Sequence, residues 1–502
     1  MNDIKEECFM KKDVLIIGAG PGGLTAGMLL QNRGYNVTVL EKADRVGGRN
    51  ARIELGDYRF DTGPTFLMMK FILDEMFNAV GRKTEDYLQT HRLDPMYRLY
   101  FPEFELDIRN DLKDMREDVA RLFPGEEDGL DKFMQREKKR YDRLLPCLQI
   151  PYHTPQSMVS KHFLGAIPIM SIGKSLYGEL GNYFKSEKLR LSFTFQSKYL
   201  GMSPWDCPAA FTIIPYVEHH EGIYHVMGGL NRISEAMAKV IAEDGGKVML
   251  NSTVKELILE GKKVKGVRMM DGSELFADAV FINSDFAHSM SSLVAPGTLK
   301  KYNRSKLKTM GYSCSTFMLY LGVNKKVDLP HHNIRFSPTY KENVSDIFDA
   351  KTLHEDTAFY LHNPSALDPS LAPEGKSALY VLVPVANNKS GINWEREKKR
   401  YRDQVIKLIM QHIPSLEDLD QHIEEELIIT PADWQNHYNV YFGATFNLAH
   451  SLDQMLYFRP RNKFEELENC YLVGGGTHPG SGLPTIYESA RISVNLLTGL
   501  GI

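Results

Sequence analysis

The sequence predicts an α/β protein built around a Rossmann-type, parallel-sheet dinucleotide-binding domain. Three observations carry this. Near the N-terminus, Gly18, Gly20 and Gly23 stand between a strand pattern and a helix pattern. Glu41 closes the next strand pattern, and a second glycine pair follows at Gly47 and Gly48. Glycines return at Gly228-Gly229 and between Gly474 and Gly482, each time before a helix pattern.

The elements justify this in order. DVLII, residues 13–17, is a run of β-formers suited to a strand buried on both faces. In the GxGxxG that follows, Gly18 allows the tight turn and Gly20 lets a pyrophosphate approach the backbone. Gly23 lets the helix pack close to the sheet. LTAGMLLQNRG has helical periodicity and closes at Gly34. The helix N-terminus carries roughly half a positive charge towards the phosphates. NVTVLEK reads as a second strand. Its Glu41, 18 residues after Gly23, can take both hydroxyls of a ribose, which favours a free ribose over a 2′-phosphate.

After Gly228-Gly229 the pattern predicts a helix over residues 231–243 and a strand through residues 247–250. KKVKGVRMMDGSELFADAVFIN reads as a hairpin turning at Asp271-Gly272, then a strand leading to Asn283-Ser284-Asp285. The last return is a strand at residues 471–473, a glycine cluster and a helix over residues 484–497.

Bulk properties bound the function. A chain of 502 residues exceeds one compact core, so a second domain is expected. Hydrophobic content of 43% and charged content of 25% are those of a globular protein. A net charge of −4 offers no nucleic-acid footprint. The cysteines are scattered without a CxxC pair, which predicts a reduced compartment and no metal site. The first twelve residues lack the apolar centre of a signal peptide, and no run is long enough to span a bilayer.

RVGGR, residues 45–49, resembles the extended fingerprint of FAD-binding amine-oxidase-like flavoproteins. Further motifs narrow this: DTGPT at 61–65, SCSTFMLYLGV at 313–323, LAPEGKSALYVLVPV at 371–385, TPADW at 430–434, GATFNL at 443–448, YFRPRN at 457–462 and GGTHPGSGLP at 475–484. Over nearly its whole length the chain resembles bacterial carotenoid desaturases of the phytoene and diapophytoene (dehydrosqualene) type.

The resemblance implies a Rossmann-type (GR2-like) FAD-binding domain assembled from residues 11–82, 222–300 and 455–502. An α+β substrate domain is interleaved with it, mostly helical and membrane-facing over 83–221 and mixed over 301–454. It implies FAD contacts at Gly18, Gly20, Gly23, Glu41, Lys42, Gly47, Gly48, Arg49, Gly63, Pro64, Val254, Gly475, Gly480, Gly482 and Leu483. The final helix N-terminus would face the flavin and stabilise its reduced, anionic form.

The implied activity is FAD-dependent desaturation of a linear thirty- or forty-carbon polyene, with overall resemblance favouring thirty. A hydride passes to the flavin and a proton to a base or ordered water, in a long apolar tunnel that orients the chain. A carotenoid oxidase, isomerase or saturase on the same fold, or a flavin-bound carotenoid carrier, are the alternatives. The electron acceptor, oxygen or quinone, is left open. His478 is the candidate base, or else a structural histidine bonding a loop carbonyl. Glu218, His219 and His220 form either a tunnel mouth or a solvated turn, and Glu488 a supporting group. No metal-ligand spacing is visible, and the histidines look unrelated.

Residues 162–193 place an apolar stretch, around 163–172, among Lys161, Lys174, Lys185 and Lys188. It is either a core helix pair or a surface that dips into a bilayer. A hydrocarbon substrate loses roughly 0.8 kcal/mol per CH₂ on entering water, so it resides in membrane. The expected location is therefore cytoplasmic, peripheral on the inner face of the cell membrane.

Overall fold

The computed structural model describes residues 11–500. A five-stranded sheet, parallel throughout, runs in the order Cys470–Leu472, Ala279–Ile282, Asp13–Ile17, Asn36–Leu40, Lys247–Met249. The strand at its centre, Asp13–Ile17, is apolar on both faces because both are covered. On one face lie the helices Pro21–Asn32, Asn231–Glu243 and Leu483–Thr498, sharing a core with Ile16, Val39 and Phe281. On the other lies a small antiparallel sheet of Val254–Glu260, Lys263–Met269 and Glu274–Phe276.

The second large sheet has seven strands. Their order is Ile423–Ile429, Ser315–Val323, Ser377–Val385, Phe359–His362, His332–Arg335, Tyr97–Tyr100, Glu105–Ile108. All neighbours are antiparallel except His332–Arg335 with Tyr97–Tyr100. The helix Trp394–His412 buries one face through Val405, Ile406 and Ile409. The other face, with Met318, Tyr380 and Leu382, borders a large cavity.

Residues 83–221 are less uniformly helical than the pattern predicts. Tyr97–Tyr100 and Glu105–Ile108 extend the seven-stranded sheet, and Thr90–Arg92 pairs with Tyr224–Val226. These strands are three or four residues long, too short for alternation to stand out. The remainder is helical, chiefly Leu112–Leu122, Glu127–Leu144 and Ile213–Glu221.

The lysine-flanked stretch divides. Its second half is core, with Leu176, Leu180, Leu189 and Leu191 buried. Its first half, the short helix Lys161–Ala166 and the turn Ile167–Ile169, leaves Leu164, Ile167 and Ile172 at 49%, 38% and 63% exposure. Phe163 instead packs edge-on against Tyr152. Exposed Val159 and Phe458 belong to adjoining turns, Pro155–Val159 and Leu456–Phe458. Among the described residues no helix is long and apolar enough to cross a membrane.

Candidate active site

One cavity of about 970 Å³ runs between the two large sheets. Its first end is built by the parallel sheet. The strand Asp13–Ile17 delivers Gly18 and Gly20, and the helix Pro21–Asn32 opens with Gly20 as an N-cap that has no side-chain cap. Backbone amides of that first turn therefore face the cavity free of side-chain acceptors. Gly23 does not line it. A Cβ there would lie 2.2 Å from the Gly18 carbonyl oxygen, so its absence is what seats the helix against the turn.

Glu41 is buried at the end of the second strand. Its carboxylate accepts hydrogen bonds from the amides of Ala19 (2.8 Å) and Ala43 (2.9 Å), which fixes its orientation in the wall. Lys42 lines the same wall and donates to the His437 carbonyl at 2.7 Å. Gly47, Gly48 and Arg49 follow, with the Arg49 guanidinium bonded to the Thr445 carbonyl. Burial pulls the Arg49 pKa down and neighbouring Asp285 opposes that shift.

Gly63, Pro64, Val254, Gly475, Gly482 and Leu483 also line the cavity. The segment that returns at Gly228-Gly229 is tied to the first by Asp61, whose buried carboxylate accepts from the amides of Leu230 (3.0 Å) and Asn231 (3.1 Å). The final helix, Leu483–Thr498, begins at Gly482, again with no side-chain cap, and points its N-terminus at the cavity.

The other end is apolar and aromatic. Phe66, Met68, Ile334, Phe359, Leu382 and Leu427 contribute to it. Two of its tyrosines, Tyr360 and Tyr380, have their hydroxyls engaged. Tyr380 donates to the Gly63 carbonyl at 2.8 Å, and Tyr360 is bonded to the Thr65 hydroxyl (2.7 Å) and to His332 Nδ1 (2.7 Å). Of residues 83–221, Phe195 and Lys198 reach the wall. The Lys198 amine sits 4.8 Å above the Tyr340 ring, and burial pulls its pKa down to about 8. Sequence reasoning passed over Lys198, because nothing in FQSKYL distinguishes a half-buried lysine at a cavity wall from a solvated one.

Several expected positions lie elsewhere. His478 does not line the cavity. It is buried edge-on against Tyr152, with ring centroids 4.8 Å apart, and burial beside Arg459 pulls its pKa down to about 3. That is the setting of a structural histidine. Gly480 also stands behind the wall, where a Cβ would lie 2.6 Å from His450 Nε2.

Glu218 and His219 are neither a cavity mouth nor a solvated turn. They are buried, and the Glu218 carboxylate accepts from the Tyr97 hydroxyl (2.8 Å) and Gln196 (2.9 Å). Burial pushes Glu218 up to about 7 and His219 down to about 4. His220 is exposed beside Glu221. Glu488 pairs with Arg491 away from the cavity. The histidines are not unrelated: His225, His331 and His362 meet in the interior.

The cradle fits a flavin cofactor that carries phosphate and ribose. Two uncapped helix N-termini and the turn at residues 47–49 can receive phosphates and the ring edge, and Glu41 a ribose. The model of the family described as flavin containing amine oxidoreductase matches residues 21–498. The chain belongs to that family and is an oxidoreductase that uses a flavin.

Among its relatives, the 4,4'-diapophytoene desaturase (4,4'-diapolycopene-forming) of Methylomonas sp. is 54% identical, covering 97% of this chain and 95% of that protein. The phytoene desaturase (neurosporene-forming) of Rhodobacter capsulatus is 33% identical over 96% and 93%. A putrescine oxidase variant shares the fold with a TM-score of 0.63 at 13% identity, covering 97% and 98%. An oxidoreductase from Methanosarcina mazei does so with 0.63 at 16%, covering 95% and 99%.

Proposed function

We propose that the chain is an FAD-dependent carotenoid desaturase, with 4,4'-diapophytoene as its favoured substrate. The observation that carries this is the continuity of one cavity, from a glycine cradle with Glu41 to an apolar wall where the Tyr360 and Tyr380 hydroxyls are already bonded. Such a wall holds a hydrocarbon by burial and orientation rather than by a polar handle. The 54% identity to a 4,4'-diapophytoene desaturase supports the substrate.

In this reading residues 11–82, 222–300 and 455–502 hold FAD. Glu41 takes the adenosine ribose, the Gly20 and Gly47–Arg49 backbones the phosphates, and the Val254 amide the adenine. Gly63, Pro64, Gly475, Gly482 and Leu483 border the ring. When bound, the flavin supplies a hydride acceptor. Lys198 Nζ, neutral above about pH 8, takes the proton lost from the neighbouring carbon. The exposed patch of Val159, Leu164, Ile167, Ile172 and Phe458, with Lys161 and Lys174 beside it, is the surface that meets the membrane holding the substrate.

The test is expression in cells making either phytoene or 4,4'-diapophytoene, with pigment absorbance and mass as readout. Yellow-to-red products of raised unsaturation from 4,4'-diapophytoene are expected. Shifted double-bond geometry, added oxygen or hydrogen, or no product despite bound flavin would sink the desaturase reading.

A further inference from the structure

Four histidines converge outside the cavity. His225 comes from the strand Tyr224–Val226. His332 and His362 pair across adjacent strands of the seven-stranded sheet, and His331 immediately precedes the first of these. None of His225, His331 and His362 lines the cavity. Their rings meet edge to face, His331 lying 4.7 Å from His225 and 4.6 Å from His362 between centroids. All three are buried, at 0%, 7% and 2% exposure.

The hydrogen bonds leave one nitrogen of each unused. His225 Nε2 lies 3.1 Å from the Asp368 carboxylate, which can only accept, so His225 donates there and carries its lone pair on Nδ1. His331 Nδ1 lies 3.1 Å from His332 Nε2, and His332 Nδ1 lies 2.7 Å from the Tyr360 hydroxyl. Two tautomer sets satisfy this chain, running in opposite directions. In the one where His331 donates to His332, His332 to Tyr360 and Tyr360 to Thr65, His331 carries its lone pair on Nε2, as a metal ligand must. His225 Nδ1, His331 Nε2 and His362 Nε2 have no hydrogen-bond partner among the described residues. One ring nitrogen of each residue lies within 4.8 Å of those of the other two.

We propose that His225, His331 and His362 form a binding site for a divalent transition-metal ion of the zinc class, with a solvent molecule as fourth ligand. Three imidazoles are a donor set such ions accept. At bond lengths of about 2.1 Å and a tetrahedral angle, ligand nitrogens stand about 3.4 Å apart, so nitrogens at the 4.8 Å limit need to close by about 1.4 Å.

The supporting contacts match those of metal-bound histidines. Asp368 orients His225 through its far nitrogen, and His332 does the same for His331. Asp368 also accepts from the Gly228 amide at the turn leading back to the parallel sheet. The ion would cross-link that turn to the seven-stranded sheet. Through His332 and Tyr360 it would also stiffen the cavity wall at Thr65. Its role is positioning.

The experiment uses the full-length holoenzyme, expressed without a histidine tag, stripped with chelator, then loaded with zinc chloride or cobalt(II). About one zinc per chain is expected, with a thermal midpoint that falls on chelation and recovers on reloading. His331→Gln and His362→Gln should lose the metal while keeping flavin. His422→Gln, at a surface pair with Asp418, should keep both. Substoichiometric zinc in the wild type, or zinc retained by both variants, overturns the proposal. Where a variant fails to fold, the wild-type cobalt spectrum decides. Intense visible bands of a tetrahedral ion uphold it, and the weak bands of an octahedral ion overturn it. Metal content is read without substrate, so its failure leaves the desaturase reading untouched.

Discussion

At Lys198 a single ammonium is drawn out of water into an aromatic and apolar wall, and its pKa falls to about 8. The sign of the consequence is definite. Below about pH 8 the amine is protonated and cannot accept; above it, the lone pair is free. The rate of anaerobic flavin reduction by substrate should therefore climb through about pH 8 and level off above. Lys198→Met should abolish that rise and slow reduction by roughly a hundredfold or more, a typical contribution of a positioned base. An unchanged pH profile in the variant would remove Lys198 from the proton transfer. His478, by contrast, has its pKa near 3 and lies behind the wall, and no pH dependence near neutrality is expected from it.

The element on which the flavin end of the cavity depends most is the final helix and the loop that starts it. Gly482 has φ +113° at the N-cap, a conformation that side chains rarely adopt. Valine there, being β-branched, carries a backbone strain of about 1–3 kcal/mol, with the Thr485 hydroxyl 3.4 Å from the added Cβ. The chain relieves that strain by turning the loop, which moves the uncapped amides that face the cavity. Gly482→Val should thus abolish turnover and lower flavin content, with the far-UV circular dichroism unchanged. Full turnover in this variant would detach the loop from the active site. The loop is also propped from behind, where the Ser481 amide donates to His450 Nε2 at 3.1 Å. Gly480 leaves no room for a side chain between them.

At the scale of the whole molecule, the exposed apolar residues are unevenly spread. Leu164, Ile167 and Ile172 stand together with Val159 and Phe458 at one site, while Phe276 belongs to the small three-stranded sheet. Each large apolar side chain fully removed from water contributes about 1.5–3 kcal/mol. If the first patch is the membrane surface, replacing Leu164, Ile167 and Ile172 by Ser should weaken liposome flotation at least tenfold. Activity on liposome-embedded substrate should fall in parallel. Phe276→Ser should change neither. Equal loss in both variants would mean non-specific adhesion, and no loss in the first would place the membrane surface elsewhere. The choice of residues depends on the fold. Phe163 and Ile169 lie in the same apolar run, but Phe163 is spent on Tyr152 and Ile169 is half-buried.

The parallel-sheet half was legible in the amino-acid order because its signals are local. Gly18, Gly20, Gly23, Glu41 and Gly47–Arg49 lie within forty residues, and what they do is done by backbone turns and one short carboxylate. Strand and helix periods around them are set by nearest neighbours along the chain, so the helix 231–243 and the last helix were placed closely too. Tertiary structure alone decided the rest. Asp61 reaches Leu230 and Asn231, Lys198 loses its water to Tyr340, and His225 meets His331 and His362 only after strands from distant segments pair. Burial and the neutral state of an imidazole depend on what packs around a side chain. No pattern along the chain encodes that, because the groups that do the packing are more than a hundred residues away.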